Sequence, residues 1–256
     1  MTLPASGAIS LNQVNTELGL SATATIGMGS TNVRTLFGVT SGAISMSNGW
    51  GKSNLVPGQA LFTTPGVNYF TVPTGCTRIC IALAAGGGGA GGSEFWYYGT
   101  NGGAGGGGGA AYLNDIAVTP GQVITMDIGY GGPRGTSGQY PTDGDPGQRT
   151  VIGAYNLWTY RGEGGIAGSS THGASGIGGG AGPAGTNYVG NDGGAHNYNS
   201  GAPGGTTSIP STCYLGTAGK GGNSGYSNTH QPGNAGAVRI MWGANRAYPS
   251  TNTADQ

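Results

Sequence analysis

The chain has 256 residues, 59 of them glycine, and its nine Lys+Arg cancel its nine Asp+Glu. Charged residues make up 7%, against about 25% in ordinary soluble domains, so no basic stripe exists to neutralise nucleic-acid phosphates and nothing drives charge-based disorder. The uncharged stretches are rich in Gly rather than Leu, which excludes a membrane helix of ~18 apolar side chains, and irregular glycine spacing with only 13 Pro excludes collagen.

In chain order, residues 1–55 form a separate N-terminal module, poorer in Gly than the remainder of the chain. Met1-Thr2-Leu3-Pro4-Ala5-Ser6 has neither a basic n-region nor an apolar h-region, so no secretory leader is expected. Ser10 is placed to cap a helix with Gln13 completing a capping box. Leu11, Val14 and Leu18 then fall on one stripe before Gly19, a left-handed cap. Ser30 opens a second helix with Val33, Leu36 and Phe37, closed by Gly38. Gly7-Ala8-Ile9-Ser10-Leu11 returns as Gly42-Ala43-Ile44-Ser45-Met46. Helices this short are unstable alone in water. The pattern therefore predicts a module that wraps another chain instead of closing its own core, or else a small helical subdomain packed on the rest of this chain.

Residues 56–243 read as a glycine-rich β domain, with 244–256 as a C-terminal tail. Strands are expected at 60–64, 68–72, 77–85, 116–118, 123–128, 150–152, 157–160 and 236–242, punctuated by Pro65-Gly66 and Pro120-Gly121. In the last of them Val238, Ile240 and Trp242 face one way and Arg239 the other. Such short strands argue for a β-sandwich. Cys76 and Cys80, four apart in one strand, lie on one face about 13 Å from each other, too far for a disulfide. With Cys213 as a third, odd cysteine, a reducing compartment of synthesis is the simpler reading.

Residues 85–109 and 162–235 fit no strand. They are either flexible Gly/Ser linkers or ordered helices of the extended, three-residue-per-turn polyglycine II kind, packed so that N–H meets C=O between neighbours. The fold class is mainly β: a β-sandwich with polyglycine II-like insertions, preceded by a small N-terminal module with short helices.

The stretch 3–19, with Gly42-Ala43-Ile44-Ser45-Met46-Ser47-Asn48-Gly49-Trp50-Gly51-Lys52-Ser53, resembles the N-terminal module of many tailed-bacteriophage virion proteins. In that group the position of Trp50 is often Tyr or Phe within an aromatic-Gly-Lys motif. Phe70-Thr71-Val72-Pro73, the Gly runs and the closing 236–242 run resemble phage glycine-rich domains, so the whole is similar to tail-fibre and adhesin proteins. The resemblance implies docking on other virion proteins through Ile9, Leu11, Val14, Leu18, Val33, Leu36, Phe37, Ile44, Met46 and Trp50. It implies an outward domain whose glycine helices carry loops that touch a bacterial surface receptor or glycan. It also implies residence in the virion after assembly in the host cytoplasm, and a homo-oligomer, with a trimer favoured. The chain departs from the best-known adhesins in its evident β framework.

Side chains suited to receptor contact are those that give area at low entropic cost, Tyr and Trp above all, with Asn for hydrogen bonds. Phe95, Trp96, Tyr97 and Tyr98 are the densest cluster; Tyr188, Asn191, His196 and Tyr198 form a second, and Tyr226 with His230 a third. The alternative is that these rings cover the scaffold or fill subunit contacts. No cofactor and no metal site is expected. His172, His196 and His230 lack zinc spacing. Asp143-Gly144-Asp145 lacks the closing Glu of a calcium loop, Ala154 standing there. Gly219-Lys220 is followed by Gly221 where a phosphate loop needs a hydroxyl. Glu94 and Glu163 are the only glutamates past the module, and nothing pairs them as a glycosidase needs. The expectation is a non-enzymatic tail-fibre or adhesin component. A collar, whisker or head-decoration protein is the alternative, and an ice-binding glycine-helix bundle is disfavoured by the attachment-like N-terminus.

Overall fold

A computed structural model describes residues 3–52, 54–94, 100–167, 176, 179, 184–194, 202–213, 215–225, 229–243 and 246–249. The N-terminal module contains α1 (Leu11–Glu17), α2 (Thr31–Phe37) and a 3-10 turn at Met46–Gly49. Ser10 caps α1 with the expected box, its Oγ accepting from the Gln13 N–H at 3.3 Å while Gln13 Oε1 accepts from the Ser10 N–H at 2.7 Å. The sequence repeat is also a structural one. Ser45 and Asn48 make the same box, and Gly7 and Gly42 both take left-handed φ, +86° and +81°. Gly38 closes α2 in the left-handed region, whereas Ser30 makes no side-chain cap bond.

One expectation is corrected here. The module closes a core of its own, in which Leu3, Ile9, Val14, Val33, Leu36 and Phe37 are buried and Leu18, Ile44 and Met46 pack against them. Two buried polar groups help it to do so. Asn15 donates from Nδ2 to the carbonyls of Ala22 and Ala24, at 3.1 and 2.7 Å, pinning the segment between the helices. Glu17 Oε1 accepts from the Asn54 N–H at 2.8 Å and ties the exit of the module to α1.

The domain beyond it is a sandwich of two antiparallel sheets. One runs β1 (Gly58–Phe62), β9 (Ala237–Trp242), β3 (Arg78–Ala84), β4 (Ala110–Ala117), β8 (Thr186–Tyr188); the other runs β2 (Gly66–Thr71), β5 (Val123–Ile128), β6 (Val151–Ile152), β7 (Leu157–Trp158). Period-2 alternation sends Ile79, Ile81, Leu83, Val238 and Ile240 from the first sheet against Phe70, Ile124, Met126, Ile128, Ile152 and Leu157 from the second. Between Ile79–Ile116 and Ile81–Leu113 strand β4 holds one extra residue, a bulge where Asp115 takes φ +59° and pairs with Arg78 at 2.7 Å.

The central strands of the first sheet are buried on both faces. Cys80, Ala82, Ala84, Ala110, Ala237 and Met241 point away from the second sheet and are covered by Cys213, Leu215 and Tyr248. Residues 246–249, beyond the expected domain boundary at 243, are therefore integral to it. The cysteines are free and buried, but Cys76 lies between the sheets and Cys80 on the opposite face. Their shared face is corrected because the strand begins only at Arg78, after a turn closed by the Cys76 N–H to Pro73 O bond.

The described residues of the glycine-rich segments form hydrogen-bonded extended helices rather than linkers. Residues 86–92 donate with a period of three: Gly86, Gly89 and Gly92 to the carbonyls of Gln148, Asp145 and Thr142; Gly87 and Ala90 to those of Asn234 and Gln231; Gly88 and Gly91 to those of Gly106 and Gly103. Their own carbonyls accept from Gly162 and Gly165, from Gly132 and Gly135, and from Gly222. One extended helix thus has six neighbours, three that accept from it and three that donate to it. The same holds for 103–109, whose N–H groups reach 160–166, 219–222 and Asn191, and whose carbonyls are reached from 85–91, 176–179 and Gly205. This is a hexagonal polyglycine II lattice with the backbone as its core.

Glycine density follows the number of neighbours. A Cβ on Gly88 would lie 1.9 Å from Glu163 O, and on Gly89 1.9 Å from Pro133 O, so the central helices are almost wholly Gly. Peripheral helices repeat Gly at every third residue, at 129, 132, 135; 144, 147; 162, 165; 219, 222, 225, and add Gly131, Gly164 and Gly221 where a Cβ would meet a further backbone carbonyl. The spacing that reads as irregular over the whole chain is regular within each helix. Pro133 and Pro203 are exposed, where a missing N–H costs nothing and φ is already suitable.

Candidate functional site

The bundle continues the strands. Helix 85–93 leaves β3 and 101–109 returns into β4; 129–138 leaves β5 and 142–150 returns into β6; 160–167 leaves β7, 189–194 leaves β8, and 229–236 returns into β9. All the outgoing helices therefore end on the same side, away from both sheets. At about 3.1 Å per residue, nine residues carry that end roughly 28 Å from the sandwich. The module joins at Gly58, which pairs with Trp242 at the opposite end of the strands. Attachment-like sequence and bundle tip thus mark the two poles of the domain.

At the tip, Ser93 ties four segments together. Its N–H donates to Ser137 Oγ (3.0 Å), its carbonyl accepts from Gly138 N–H (3.0 Å), and its Oγ donates to Gly225 O (3.4 Å) and accepts from Gly102 N–H (3.3 Å). Glu94 N–H donates to Thr100 O at 3.0 Å, closing the first connection at its base. Thr136 and Thr142 close the next through their hydroxyls at 3.0 Å and hold out Tyr140, 83% exposed. Asp143 Oδ1 accepts from Ala167 N–H at 2.6 Å, so this aspartate caps a neighbouring helix.

The candidate contact residues separate on this frame. Phe95, Trp96, Tyr97, Tyr98, His196, Tyr198 and Tyr226 lie outside the described residues. Tyr188 is not at the tip: it sits on β8 with its ring 6.0 Å from that of Tyr112, and burial pushes its hydroxyl pKa up. Asn191 is near the base too, bonded through its side chain to Thr206 and Ser208 at 3.0 and 3.2 Å. Of the second cluster, Tyr188 and Asn191 are thus both placed at the sheet end of the bundle. Tyr140 is a tip residue that sequence reasoning missed, although its signal was present: the three-residue glycine period breaks between Gly138 and Gly144.

His230 is a structural residue of the tip, 3% exposed, so it offers no contact surface. Its Nδ1 accepts from Gly225 N–H at 3.3 Å, and Arg134 Nη1 donates to its carbonyl at 2.9 Å. Burial first, and then the Arg134 charge, hold its pKa below the ordinary 6.5. The unfolded chain therefore takes up a proton that the folded chain refuses as pH falls below 6.5. Stability fully present above that value should decline toward the lowered native pKa, at up to about 1.4 kcal/mol per pH unit. Melting curves between pH 7.5 and 5 check this; His230→Gln should flatten the decline, and an equal slope in both proteins would remove His230 as its source.

Of the ten attachment candidates, Ile9, Val14, Val33, Leu36 and Phe37 are buried and Leu18, Ile44 and Met46 half-cover them. They set the shape of the module. Leu11 (39% exposed) and Trp50 (46%) remain on its surface, as does Leu20. Trp50 is held in place by its Nε1, which donates to Gly7 O at 2.8 Å across the repeat.

Compared with known families, residues 63–254 match the family model of the glycine-rich domain. The chain belongs to this family. The match takes in β2 to β9 of the sandwich, the bundle and the stretch around Tyr248, and begins after the module and β1. Comparison with curated proteins gives no match. Among the described residues of this glycine-rich domain no three His, Cys, Asp or Glu side chains converge as metal ligands, and no helix is long and apolar enough to cross a membrane.

Proposed function

We infer that the protein is a structural component of a tailed-phage virion, a tail-fibre or adhesin part. In this reading the N-terminal module docks on other virion proteins and the far end of the glycine bundle meets the host surface, either a receptor or a glycan. The observation that carries it is polarity: the attachment-like module enters at one end of the sandwich, and every outgoing helix ends at the other. Rigid backbone bonding behind the tip supports it, since loops on a stiff scaffold lose little entropy on binding. Tyr140, with the 95–98 cluster, His196, Tyr198 and Tyr226, are the contact residues of the proposal. Leu11 and Trp50 are the exposed docking side chains, and the fibre is a homo-oligomer, a trimer first.

Deletion of residues 1–52 tests the docking half. It spares Leu55, which packs against the sandwich. The shortened protein is expected to stay soluble and to be absent from purified virions; normal incorporation would refute the assignment. Purified full chain is expected to bind host cells and to compete with infecting phage. If it does neither, a collar, whisker or head-decoration role takes the place of adhesion.

A further inference from the structure

The two sheets are covered unequally. The central strands of the five-stranded sheet are covered on their outer face, with Leu61 left open on β1, whereas the four-stranded sheet leaves Val67, Tyr69 and Val123 exposed there. Cross-strand pairing runs Val67–Asp127–Val151–Trp158 along one row of that open face. Where the row meets the flank of the glycine bundle there is a cleft of about 660 Å³ lined by Asp127, Gln148, Arg149, Tyr160, Arg161 and Glu163. That is the size range of small-ligand sites, roughly 300–1,000 Å³.

Two features set this cleft apart. First, it gathers four ionised side chains in a chain that has eighteen. Most others in the domain are committed to structure: Arg78 to Asp115, Arg134 to His230 O, Asp143 to Ala167 N–H, Arg239 to Gln59 and Cys213 O, Arg246 to Gly58 O. Here Arg161 meets Glu163 only loosely, at 3.5 Å with both half exposed, and no partner is seen for Asp127 or Arg149 among the described residues. Second, the backbone beneath is fixed by lattice bonds at Gln148 N–H, Tyr160 O and Glu163 O. The Tyr160 ring stands edge-on to Trp158 at 4.7 Å and 83°, and is 53% exposed. An oriented aromatic face beside converging polar groups is a preorganised recognition surface.

The donor set selects the ligand. A phosphate or carboxylate would call for donors alone, and a cation for acceptors alone. Two guanidiniums and two carboxylates with zero net charge suit groups that donate and accept at once, which are hydroxyls. We propose that this flank cleft binds a short neutral oligosaccharide, one ring stacked on Tyr160 and its hydroxyls shared among Arg149, Arg161, Asp127 and Glu163. The cleft lies near the base of the bundle, so its binding stands apart from whatever the tip does.

The test uses the full chain on a printed array of neutral bacterial oligosaccharides, with affinities for retained glycans measured by titration. Inorganic phosphate and calcium serve as single-charge controls. Retention of neutral glycans is expected, with at least tenfold weaker binding in Tyr160→Ala and in Arg161→Ala. Tyr160→Phe keeps the ring and should bind as the parent does; unchanged melting temperatures in all three would assign the losses to the cleft. Tyr140→Ala at the tip should leave the affinity untouched. The proposal is overturned if no neutral glycan is retained or if phosphate or calcium binds in its place. Binding that survives Tyr160→Ala with Arg161→Ala, or that is lost with Tyr140→Ala instead, overturns it equally.

Discussion

Gly88→Ala is expected to cost about 4 kcal/mol or more, from overpacking worth about 1–3 kcal/mol and from buried hydrogen bonds that lose their partners at about 1–3 kcal/mol each. The new methyl carbon would sit 1.9 Å from Glu163 O, 2.3 Å from its carbonyl carbon and 2.8 Å from Gly164 N, all backbone atoms that no side-chain rotation can move. Relief requires the 162–165 helix to withdraw. That helix gives Gly162 N–H to Gly86 O and Gly165 N–H to Gly89 O, and takes Gly106 N–H on Glu163 O. Because 86–92 and 103–109 share neighbours, the disturbance reaches both lattice centres. For a domain of this size the loss corresponds to a fall in Tm of roughly 10 °C or more. Gly153→Ala is the matched control: nothing lies within 4 Å of its would-be Cβ, and its φ is not left-handed. It should change stability by no more than about 0.5 kcal/mol. Equal melting of the two variants would show that close approach does not dictate glycine at the lattice centre.

How much of the fold is legible in the sequence depends on the range of each interaction. The capping box at Ser10, left-handed Gly19 and Gly38, and the alternating runs at Gly66–Thr71, Arg78–Ala84, Val123–Ile128 and Ala237–Trp242 are local patterns, and the expected elements match them. β8 is illegible, because Thr186-Asn187-Tyr188 has no apolar alternation and exists by pairing with Ala110–Tyr112. The first half of β4 is hidden for a similar reason: it grows straight out of a glycine run, and the bulge at Asp115 breaks its alternation. The module's interior is easily underestimated because two of its fasteners are polar. Asn15 and Glu17 carry no hydrophobic signal, yet they fix the loops that let a handful of apolar side chains close. At the tip, Gly periodicity tells where helices turn, but not which side chains share a level. His230 is buried by helices far from it in sequence, and Tyr188 is held at the sheet by a neighbour 76 positions away, Tyr112.

The second large effect is expected at Arg239. Alternation places it on the face of β9 away from Val238 and Ile240, where an ionised residue would ordinarily meet water. Instead the segment around Cys213 and Tyr248 covers it, leaving it 2% exposed between β1 and β3. Its guanidinium spends its donors on Gln59 Oε1, through Nε at 2.8 Å and also through Nη2, and on Cys213 O through Nη1 at 3.2 Å. The Tyr248 ring lies 6.0 Å from its centre and the Tyr248 hydroxyl donates to its carbonyl at 3.2 Å. Arg239→Ala removes the fork that holds the cover to the sheet and should cost about 3 kcal/mol, from acceptors left unpaired and packing lost along the stem. Arg239→Lys keeps the charge but cannot span both acceptors, so it should recover only part of the loss. The cysteines make the mechanism visible. Burial raises the thiol pKa of Cys80, and that of Cys213 to about 11 against the pull of Arg239, so neither should react with a thiol reagent in the native protein at pH 8. If Arg239 fastens the cover, Arg239→Ala will expose Cys213 and Cys80 to labelling well below the denaturant needed for global unfolding. Cys76, on the far side of the sheet, will stay protected until the sandwich itself opens. Simultaneous labelling of all three would mean that the cover and the sandwich unfold as one unit and that the guanidinium fastens nothing in particular.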